Sequence, residues 1–363
     1  MRNRFHAICP YFAMFPESFV QKQLIWSQPG QIVLDPFCGR GTTVFEALLS
    51  NREALAGDTN PVAVCVSRAK ADPPQLPAVV ERLAELEREF HHWSAPKTRI
   101  VENEFFELCF ARPTLRQVLF LRERLAWRSH RTDCMISALA LGCLHGESHR
   151  TQWCFSNRMP RTISTKPDYS IRWWRERGCL PPVRDVFRIL HAVSAYRYES
   201  QLPQRRGRVA ATDARNISRR FAGAKRSVSV VITSPPYLDT THYQEDQWLR
   251  LWFLGGPERP RRTAGTDDRH RGAESYWRFL SEAWQGVGPL LRDGAHIIVR
   301  IGGRHLERSI LERELIRTLR DGTGASIKVR DRRSSRIVNS QVHAFRPKSS
   351  GTSMEHDFHF QIV

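Results

Sequence analysis

The feature that most constrains the fold is a nine-residue glycine turn, Asp35 to Thr43 (DPFCGRGTT), that directly follows the apolar run Ile32 to Leu34. Val44 to Leu49 continues as an apolar helical segment, so the pattern predicts a strand, a tight turn and a helix. Ala54 to Asp58 predicts a second short strand. This alternation is typical of α/β proteins with a mainly parallel sheet.

The remaining segments extend this pattern and divide the chain into three parts. Further predicted elements are helices at 79–93, 114–127, Gln247–Phe253 and Tyr276–Leu291, strands at Arg208–Thr212, Val228–Thr233 and His296–Ile301, and a closing antiparallel pair at Ile327–Arg330 and Phe358–Val363. We expect an α/β, doubly wound sheet built from residues 1–74 and 206–363. Residues 75–205 would form a mainly helical, basic insertion, and residues 255–273 a long loop.

The charge of the chain points to a polyanionic partner. The formal net charge is +19 and the sequence pI is about 10.3, and phosphate neutralisation releases condensed counterions. A membrane surface is the competing explanation, but the longest nearly apolar run, Cys134 to Leu144, is too short to cross a bilayer. With no signal-peptide core at the start, we expect a soluble cytoplasmic protein with no membrane contact. The 8 cysteines lack metal-ligand or disulfide spacing, so we expect buried thiols and no metal.

The residues of the turn favour a ligand with a cationic amino-acid end over a dinucleotide. A dinucleotide site uses three spaced glycines, whereas here a third glycine is missing and a carboxylate that would repel pyrophosphate precedes the turn. Asp35 can face the ammonium and sulfonium groups of S-adenosylmethionine, Asp58 its ribose hydroxyls and Asp213 its adenine amino group. Thr42 and Thr43 suit a helix cap. Any one acid alone is better explained as a solvated loop residue. The expected cofactor-binding residues are Asp35, Pro36, Phe37, Gly39, Gly41, Thr42, Thr43, Asp58, Asn60 and Asp213.

A second motif, Val230 to Tyr237 (VVITSPPY), runs from a predicted buried strand into two prolines. The prolines remove two backbone donors and leave carbonyl acceptors, which suit an amino group. Tyr237 can stack on a flipped base, while the Ser234 side chain and a nearby carbonyl accept the two amino hydrogens. The chain contains no Pro-Cys pair of the kind used to methylate a cytosine ring carbon. Ser234, Pro235, Pro236 and Tyr237 are therefore the candidate catalytic residues, although a rigid proline turn with the tyrosine packed over it is the simpler alternative.

Together these motifs resemble the amino-group (cytosine-N4 and adenine-N6) DNA methyltransferases. The turn is similar to their Asp-Pro-Phe-x-Gly-Ser-Gly-Thr-Thr motif, with Arg40 in place of serine, and SPPY is similar to their catalytic (Asp/Asn/Ser)-Pro-Pro-Tyr motif. Tyr11 to Phe19 (YFAMFPESF) resembles the segment that these enzymes hold beside the cofactor, which implies a contact from Phe15. Arg40 could alter a hydrogen bond near the cofactor or point outward to phosphate. Serine before Pro-Pro-Tyr favours cytosine-N4 over adenine-N6.

The insertion supplies the expected nucleic-acid contacts. Residues 145–226 hold 18 Lys and Arg against 6 Asp and Glu, interleaved with aromatic side chains, which suits gripping phosphates around a flipped base. The candidate contacts are Arg150, Arg158, Arg161, Lys166, Arg172 and Arg175. We expect a site-specific enzyme of duplex DNA, with a cognate restriction enzyme left open. The alternatives are an RNA base methyltransferase and a non-catalytic DNA-binding protein on a degenerate scaffold.

Overall fold

In a computed structural model of the chain, the first strand belongs to a seven-stranded sheet and the glycine turn follows that strand directly. The structure describes residues 2–11, 15–94, 103–146, 151–159, 166–238, 247–260, 272–302, 307–336 and 354–363. The chain divides into two compact units. Unit 1 comprises Met1–Phe12, Pro73–Leu202 and His242–Arg262, and unit 2 comprises Ala13–Asp72, Pro203–Thr241 and Thr263–Val363.

Unit 2 contains the sheet and the helices that cover it. Its strands are β1 (Ile32–Asp35), β2 (Glu53–Asp58), β3 (Arg208–Ala211), β4 (Val228–Thr233), β5 (Leu291–Gly302), β6 (Ile327–Arg336) and β7 (Met354–Ile362). Its α-helices are α1 (Glu17–Gln23), α2 (Thr42–Leu49), α3 (Pro61–Ala71), α10 (Ile217–Arg220), α12 (Ala273–Val287) and α13 (Arg308–Thr323). Short 3-10 helices lie at Leu24–Trp26, Ala214–Asn216, Ala222–Ala224 and Gly288–Leu290.

The secondary-structure elements assigned to the described residues of unit 1 are all helices. Its α-helices are α4 (Leu76–His92), α5 (Glu104–Cys109), α6 (Arg112–Arg124), α7 (Arg131–Cys143), α8 (Pro167–Glu176), α9 (Val186–Tyr198) and α11 (Trp248–Phe253), with a 3-10 helix at Arg4–Ala7. The predicted helices at 79–93 and 114–127 correspond to α4 and α6. Both pack apolar faces inward, as their spacing of leucines indicates.

The strand order is β3-β2-β1-β4-β5-β7-β6. The first five strands in this order pair in parallel, and β7 pairs antiparallel with both β5 and β6. From β1 the chain runs outward through β2 to β3 on one side, and from β4 it runs outward to β5 on the other side. The direction of the connections therefore reverses between β1 and β4. In such sheets, ligands bind beyond the carboxyl ends of the strands at this switch point. The expected α/β, Rossmann-like fold with its closing antiparallel pair is confirmed.

Two apolar clusters cover the sheet of unit 2. One contains Val33, Val230 and Ile298 from the strands together with Phe19 and Leu24 from the segment before β1. The other packs α12 and α13 against the opposite side of β4, β5 and β7. The strand β4 is buried at all of its residues, as expected for a central parallel strand. The sheet is therefore a rigid support for the turns at its carboxyl edge.

Candidate active site

The glycine turn adopts a left-handed backbone at both of its glycines. Gly39 has φ 49° and Gly41 has φ 71°, and Gly41 is the N-cap of α2. A Cβ atom added to Gly41 would lie 2.6 Å from Oγ of Ser67 in α3. Ser67 also donates a hydrogen bond of 2.9 Å to the Gly39 carbonyl. The turn is therefore held close against α3, and only glycine fits at position 41.

The prediction that Thr42 and Thr43 cap the helix is wrong. They are the first two residues of α2 itself, and no side-chain cap bond is formed there. The Thr43 hydroxyl instead donates 3.1 Å to the Ile232 carbonyl in β4, and Thr42 Oγ1 accepts from Arg40 Nε at 3.4 Å. Because Gly41 already occupies the cap position, the Thr43 hydroxyl can tie the turn to the neighbouring strand β4.

Asp35 lies at the end of β1 and is 1% exposed. Its Oδ1 accepts hydrogen bonds from the Thr233 hydroxyl at 2.7 Å and from the Phe37 amide at 3.2 Å. Burial raises the pKa of Asp35 to about 6, against the opposing effect of its hydrogen bonds to Thr233, Thr43 and Phe37. Asp35 thus ties the cofactor turn to the last residue of β4, immediately before the candidate catalytic residues.

Asp58 ends the adjacent strand β2 and braces the turn from the other side. Its Oδ2 accepts from the Gly39 amide and its Oδ1 from the Asn60 amide, each at 2.9 Å. The Asp58 carboxylate therefore links the turn to the start of α3. Asn60 is 1% exposed and caps α3 by accepting from the Val62 amide at 3.0 Å. Its contribution is to helix α3, and a cofactor contact from it stays a prediction.

Asp213 follows β3 and is engaged by an arginine. It accepts from Arg215 Nε at 3.0 Å and from Arg215 Nη2 at 2.9 Å, and it also caps the following turn through the Arg215 amide. Arg215 in turn donates to Glu282 at 3.1 Å. A contact from Asp213 to an adenine amino group therefore requires the carboxylate to be shared with this arginine.

Arg40, the departure from the expected serine, does not point outward to phosphate. Its side chain is 5% exposed, and Nη2 lies 3.4 Å from the Glu17 carboxylate at the start of α1. The Arg40 carbonyl accepts 2.6 Å from Lys70 Nζ of α3, a lysine that is itself fully buried. The arginine side chain thus ties the turn to α1, while its backbone carbonyl bonds α3, and the outward alternative is wrong.

The apolar residues predicted near the cofactor are buried or half-buried in unit 2. Phe15 is 8% exposed and packs on Phe19, with ring centroids 5.2 Å apart. Phe37 is half-buried beside Phe279 at 5.9 Å, and Pro36 is buried. These positions are compatible with cofactor contacts, which stay predictions.

The SPPY segment follows β4 directly. Ser234 and Pro236 are half-buried, whereas Pro235 is buried and Tyr237 is 9% exposed. The Ser234 side chain hydrogen-bonds the Tyr237 hydroxyl, which itself donates to Glu355 Oε1 at 2.9 Å. Burial, followed by the Glu355 charge, raises the pKa of Tyr237 well above its usual value, so the phenol stays protonated.

The candidate nucleic-acid contacts that the structure describes belong to unit 1. Arg158, Lys166, Arg172 and Arg175 lie on or before α8, while Arg150 and Arg161 fall outside the described residues. Lys166 and Arg172 are exposed, and Arg175 forms an ion pair with Glu104. Trp173 lies beneath Arg158 and Arg177, with guanidinium carbons 5.9 and 4.7 Å from a ring centroid. Trp174 is fully buried and donates to the Arg158 carbonyl at 2.6 Å, so this tryptophan is part of the core of unit 1.

The cysteines are all among the residues that the structure describes. Seven cysteines are buried and Cys179 is intermediate, and none of the eight forms a disulfide in the structure. Among the described residues, no cluster of three metal-ligating side chains occurs and no helix is long and apolar enough to cross a membrane.

Comparison with known proteins bears on the class of enzyme. Residues 3–67 match a sequence family described as DNA methylase, of the N6/N4 methyltransferase type. No curated protein matches the chain significantly. Similar solved structures include TrmN from Thermus thermophilus, 12% identical with a TM-score of 0.39, for which the alignment covers 99% of this chain but only 53% of TrmN. The rRNA methyltransferase aviRa from Streptomyces viridochromogenes is 14% identical with a TM-score of 0.36, and the alignment covers 97% of this chain and 87% of aviRa. A putative rRNA methylase from Clostridium thermocellum is 9% identical with a TM-score of 0.34, and the alignment covers 97% of this chain and 100% of the methylase. At these scores the structures carry no inference about substrate.

The sheet order shows a Rossmann-like fold, and the glycine turn together with the family match over residues 3–67 supports an S-adenosylmethionine-dependent methyltransferase. The match over residues 3–67 supports the amino-group methyltransferase family for this chain. The same match supports S-adenosylmethionine as the cofactor. Three contributors to the site were not predicted from sequence: Ser67, Thr233 and Glu355. Thr233 had a signal, since it ends the strand that leads into SPPY, but the other two are distant in sequence from their partners.

Proposed function

We propose that this protein transfers a methyl group from S-adenosylmethionine to the exocyclic amino group of a flipped base in DNA, with cytosine-N4 favoured over adenine-N6. The observation that supports this most directly is the hydrogen bond of 2.7 Å between Thr233 and Asp35. It brings the start of the cofactor turn and the start of SPPY together at adjacent parallel strands. A methyl donor and an amino acceptor bound by these two turns would meet at the switch point of the sheet.

The acceptor residues suit a planar amino group. Ser234 is half-buried, and the two prolines after it cannot donate backbone hydrogen bonds. A hydroxyl oxygen and a carbonyl can accept the two amino hydrogens, which directs the nitrogen lone pair towards the methyl carbon. The Tyr237 ring would support the base by stacking while its hydroxyl is fixed by Glu355. The serine before Pro-Pro-Tyr is the basis for favouring cytosine-N4.

The protein's own residues would bind the cofactor through charge and backbone contacts. Asp35 in its ionised form would face the ammonium and sulfonium side, and Asp58 would accept from the ribose hydroxyls. Arg158, Lys166 and Arg172 of unit 1 would contact phosphates, with duplex DNA the favoured partner. S-adenosylmethionine supplies the methyl group on a positively charged sulfur, which makes direct transfer possible.

Labelled S-adenosylmethionine incubated with the purified protein and either DNA or RNA tests the proposal. Mass spectrometry of the nucleosides should detect labelled N4-methylcytosine, or N6-methyladenine, from DNA. Ser234→Ala should reduce the label strongly, whereas Ser227→Ala, an exposed serine just before β4, should not. Label found only in RNA would replace DNA by RNA as the substrate, and failure to bind S-adenosylmethionine in calorimetry would favour a non-catalytic binding protein.

A further inference from the structure

The hydroxyl groups of SPPY continue into a chain of hydrogen bonds that ends on a carboxylate of β7. The Ser234 side chain bonds the Tyr237 hydroxyl, and this hydroxyl donates 2.9 Å to Glu355 Oε1. The Glu355 side chain is 22% exposed, whereas Tyr237 is 9% exposed. The chain therefore leads from the candidate acceptor site, through a buried phenol, to a carboxylate in contact with water.

Glu355 is fixed in place by its neighbours on the sheet. Arg300 of β5 lies with Nη1 3.7 Å from Glu355 Oε2. The same guanidinium donates to both oxygens of Asp357, at 2.6 and 2.8 Å, and stacks over the Phe19 ring at 4.0 Å. A bidentate pair of this kind has a defined geometry. Since Arg300 is 7% exposed, the support for Glu355 is rigid.

We propose that Ser234, Tyr237 and Glu355 form a proton relay that removes the proton released by amino-group methylation. This rests on the proposed function. When the amino nitrogen bonds the methyl carbon, the sulfur–carbon bond breaks and its electron pair stays on sulfur. The nitrogen then carries one proton too many. That proton passes to Ser234 Oγ as the serine proton passes to Tyr237 Oη and the phenol proton passes to Glu355, which releases it to water.

The relay uses the phenol as a hydrogen-bonded carrier, never as a free phenolate. This agrees with the buried position of Tyr237, where a lasting negative charge is disfavoured. A purely positional role for Glu355 makes a different prediction. Glutamine at position 355 retains a carbonyl oxygen that can accept from the phenol, yet it cannot take up the proton. Glu355→Gln therefore separates a relay from a simple support.

The test is single-turnover methylation with saturating DNA and cofactor. Glu355→Gln and Tyr237→Phe should each lower the rate about a hundred-fold, the size typical of a lost general base. The double variant should be no slower than the single ones, because both interrupt the same relay. Glu312→Gln, which removes an acid paired with Arg332 on the neighbouring strand β6, is the matched control and should retain the wild-type rate. A wild-type rate in Glu355→Gln would overturn the relay.

A second measurement does not depend on activity. The tyrosine Raman doublet reports whether a phenol donates its hydrogen to a strong acceptor, and a difference spectrum against Tyr237→Phe isolates residue 237. Glu355→Ala should remove the donor signature of Tyr237, while affinities for cofactor and DNA confirm an intact fold. An unchanged spectrum would overturn the relay even if the methylated substrate is not the one proposed. Failure of the wild-type protein to methylate DNA or RNA would instead count against the proposed function.

Discussion

The Thr233 hydroxyl and the Asp35 carboxylate are joined by a hydrogen bond of 2.7 Å, although the two residues are 198 positions apart in the chain. The bond connects the end of β1 to the end of β4, at the point where the strand order reverses. It holds an ionisable group that is almost completely buried beside the candidate cofactor site. The protonation state of Asp35 is therefore coupled both to cofactor binding and to stability.

Thr233→Val should make cofactor binding more sensitive to acid. Valine cannot donate to the carboxylate, so the pKa of Asp35 should rise further above about 6. Calorimetry should show weaker S-adenosylmethionine binding than in the wild-type protein near pH 6.5, with the difference shrinking by pH 8. Thr318→Val, which removes a buried hydroxyl bonded within α13, is the control. Equal loss of affinity at all pH values would contradict this role for Asp35.

Asp35→Asn should stabilise the cofactor-free protein at neutral pH while it weakens cofactor binding. The pKa is raised from 3.8 to about 6 in the folded state, so the folded protein retains a proton that the unfolded chain has released between these values. Stability therefore falls as the pH rises through this window, and the cost is fully present above it. The change corresponds to up to about 3 kcal/mol at pH 7. Urea unfolding at pH 7 and near pH 4 should show the gain mainly at pH 7.

Gly41→Ala should cost more than the backbone strain of an alanine at positive φ. Gly178 provides the comparison, because it has φ 57° and no atom within 4 Å of an added Cβ, whereas at Gly41 the Cβ meets Ser67 Oγ at 2.6 Å. Gly178→Ala should lose about 1 kcal/mol of unfolding free energy. Gly41→Ala should lose clearly more and should also lose cofactor affinity. Equal costs in denaturant unfolding would mean that α3 yields to the added methyl group.

Arg40 and Glu17 should show energetic coupling. Their side chains are 5% and 17% exposed and lie 3.4 Å apart, so removing either one takes a nearby counter-charge from the other. Arg40→Ala and Glu17→Ala should each cost about 3 kcal/mol. The double variant should cost less than the sum of the single ones in thermal or urea unfolding. Strict additivity would show that the two charges are independent.

Two arginines of α8 should differ in their effect on DNA affinity. Arg172 is exposed, whereas Arg175 is paired with Glu104. If Arg172 contacts one phosphate, Arg172→Ala should reduce the slope of log affinity against log salt by about 0.9. Arg175→Ala should change the slope less, because its charge is already partly compensated. Indistinguishable slopes for the two variants would count against a specific phosphate contact from Arg172.

Local sequence was sufficient to predict the strands and the two motifs. The strand residues Ile32–Leu34 and Val228–Thr233 are short apolar runs that end in turn residues, and the structure confirms both as strands. Such signals need only neighbouring positions. The same is true of the glycines in the turn, because a left-handed backbone is required wherever the chain bends this sharply.

The partners of the site residues could not be predicted from local sequence. Glu355 is 118 positions from Tyr237 and lies in a strand whose composition does not mark it as special. The expectations for Arg40 used only its own place in the motif, whereas its inward orientation depends on the ion pair with Glu17 of α1. Threonine is a residue type suited to capping a helix, but the position of β4 determines where the Thr43 hydroxyl bonds. Long-range pairing of polar groups depends on the assembled sheet.

The order of strands also determines when the site can first exist during synthesis. Asp58 of β2 lies opposite Ala211 of β3, and most of unit 1 is encoded between them. At typical translation rates, the ribosome needs roughly 10 to 40 s to advance the 198 positions from Asp35 to Thr233. Until β3 is made, the pair of β1 and β2 has two open edges. Until β4 is made, the edge of β1 stays open and Asp35 lacks the hydroxyl that holds it. A ribosome-bound intermediate of this chain therefore exposes strand edges with which other chains can pair.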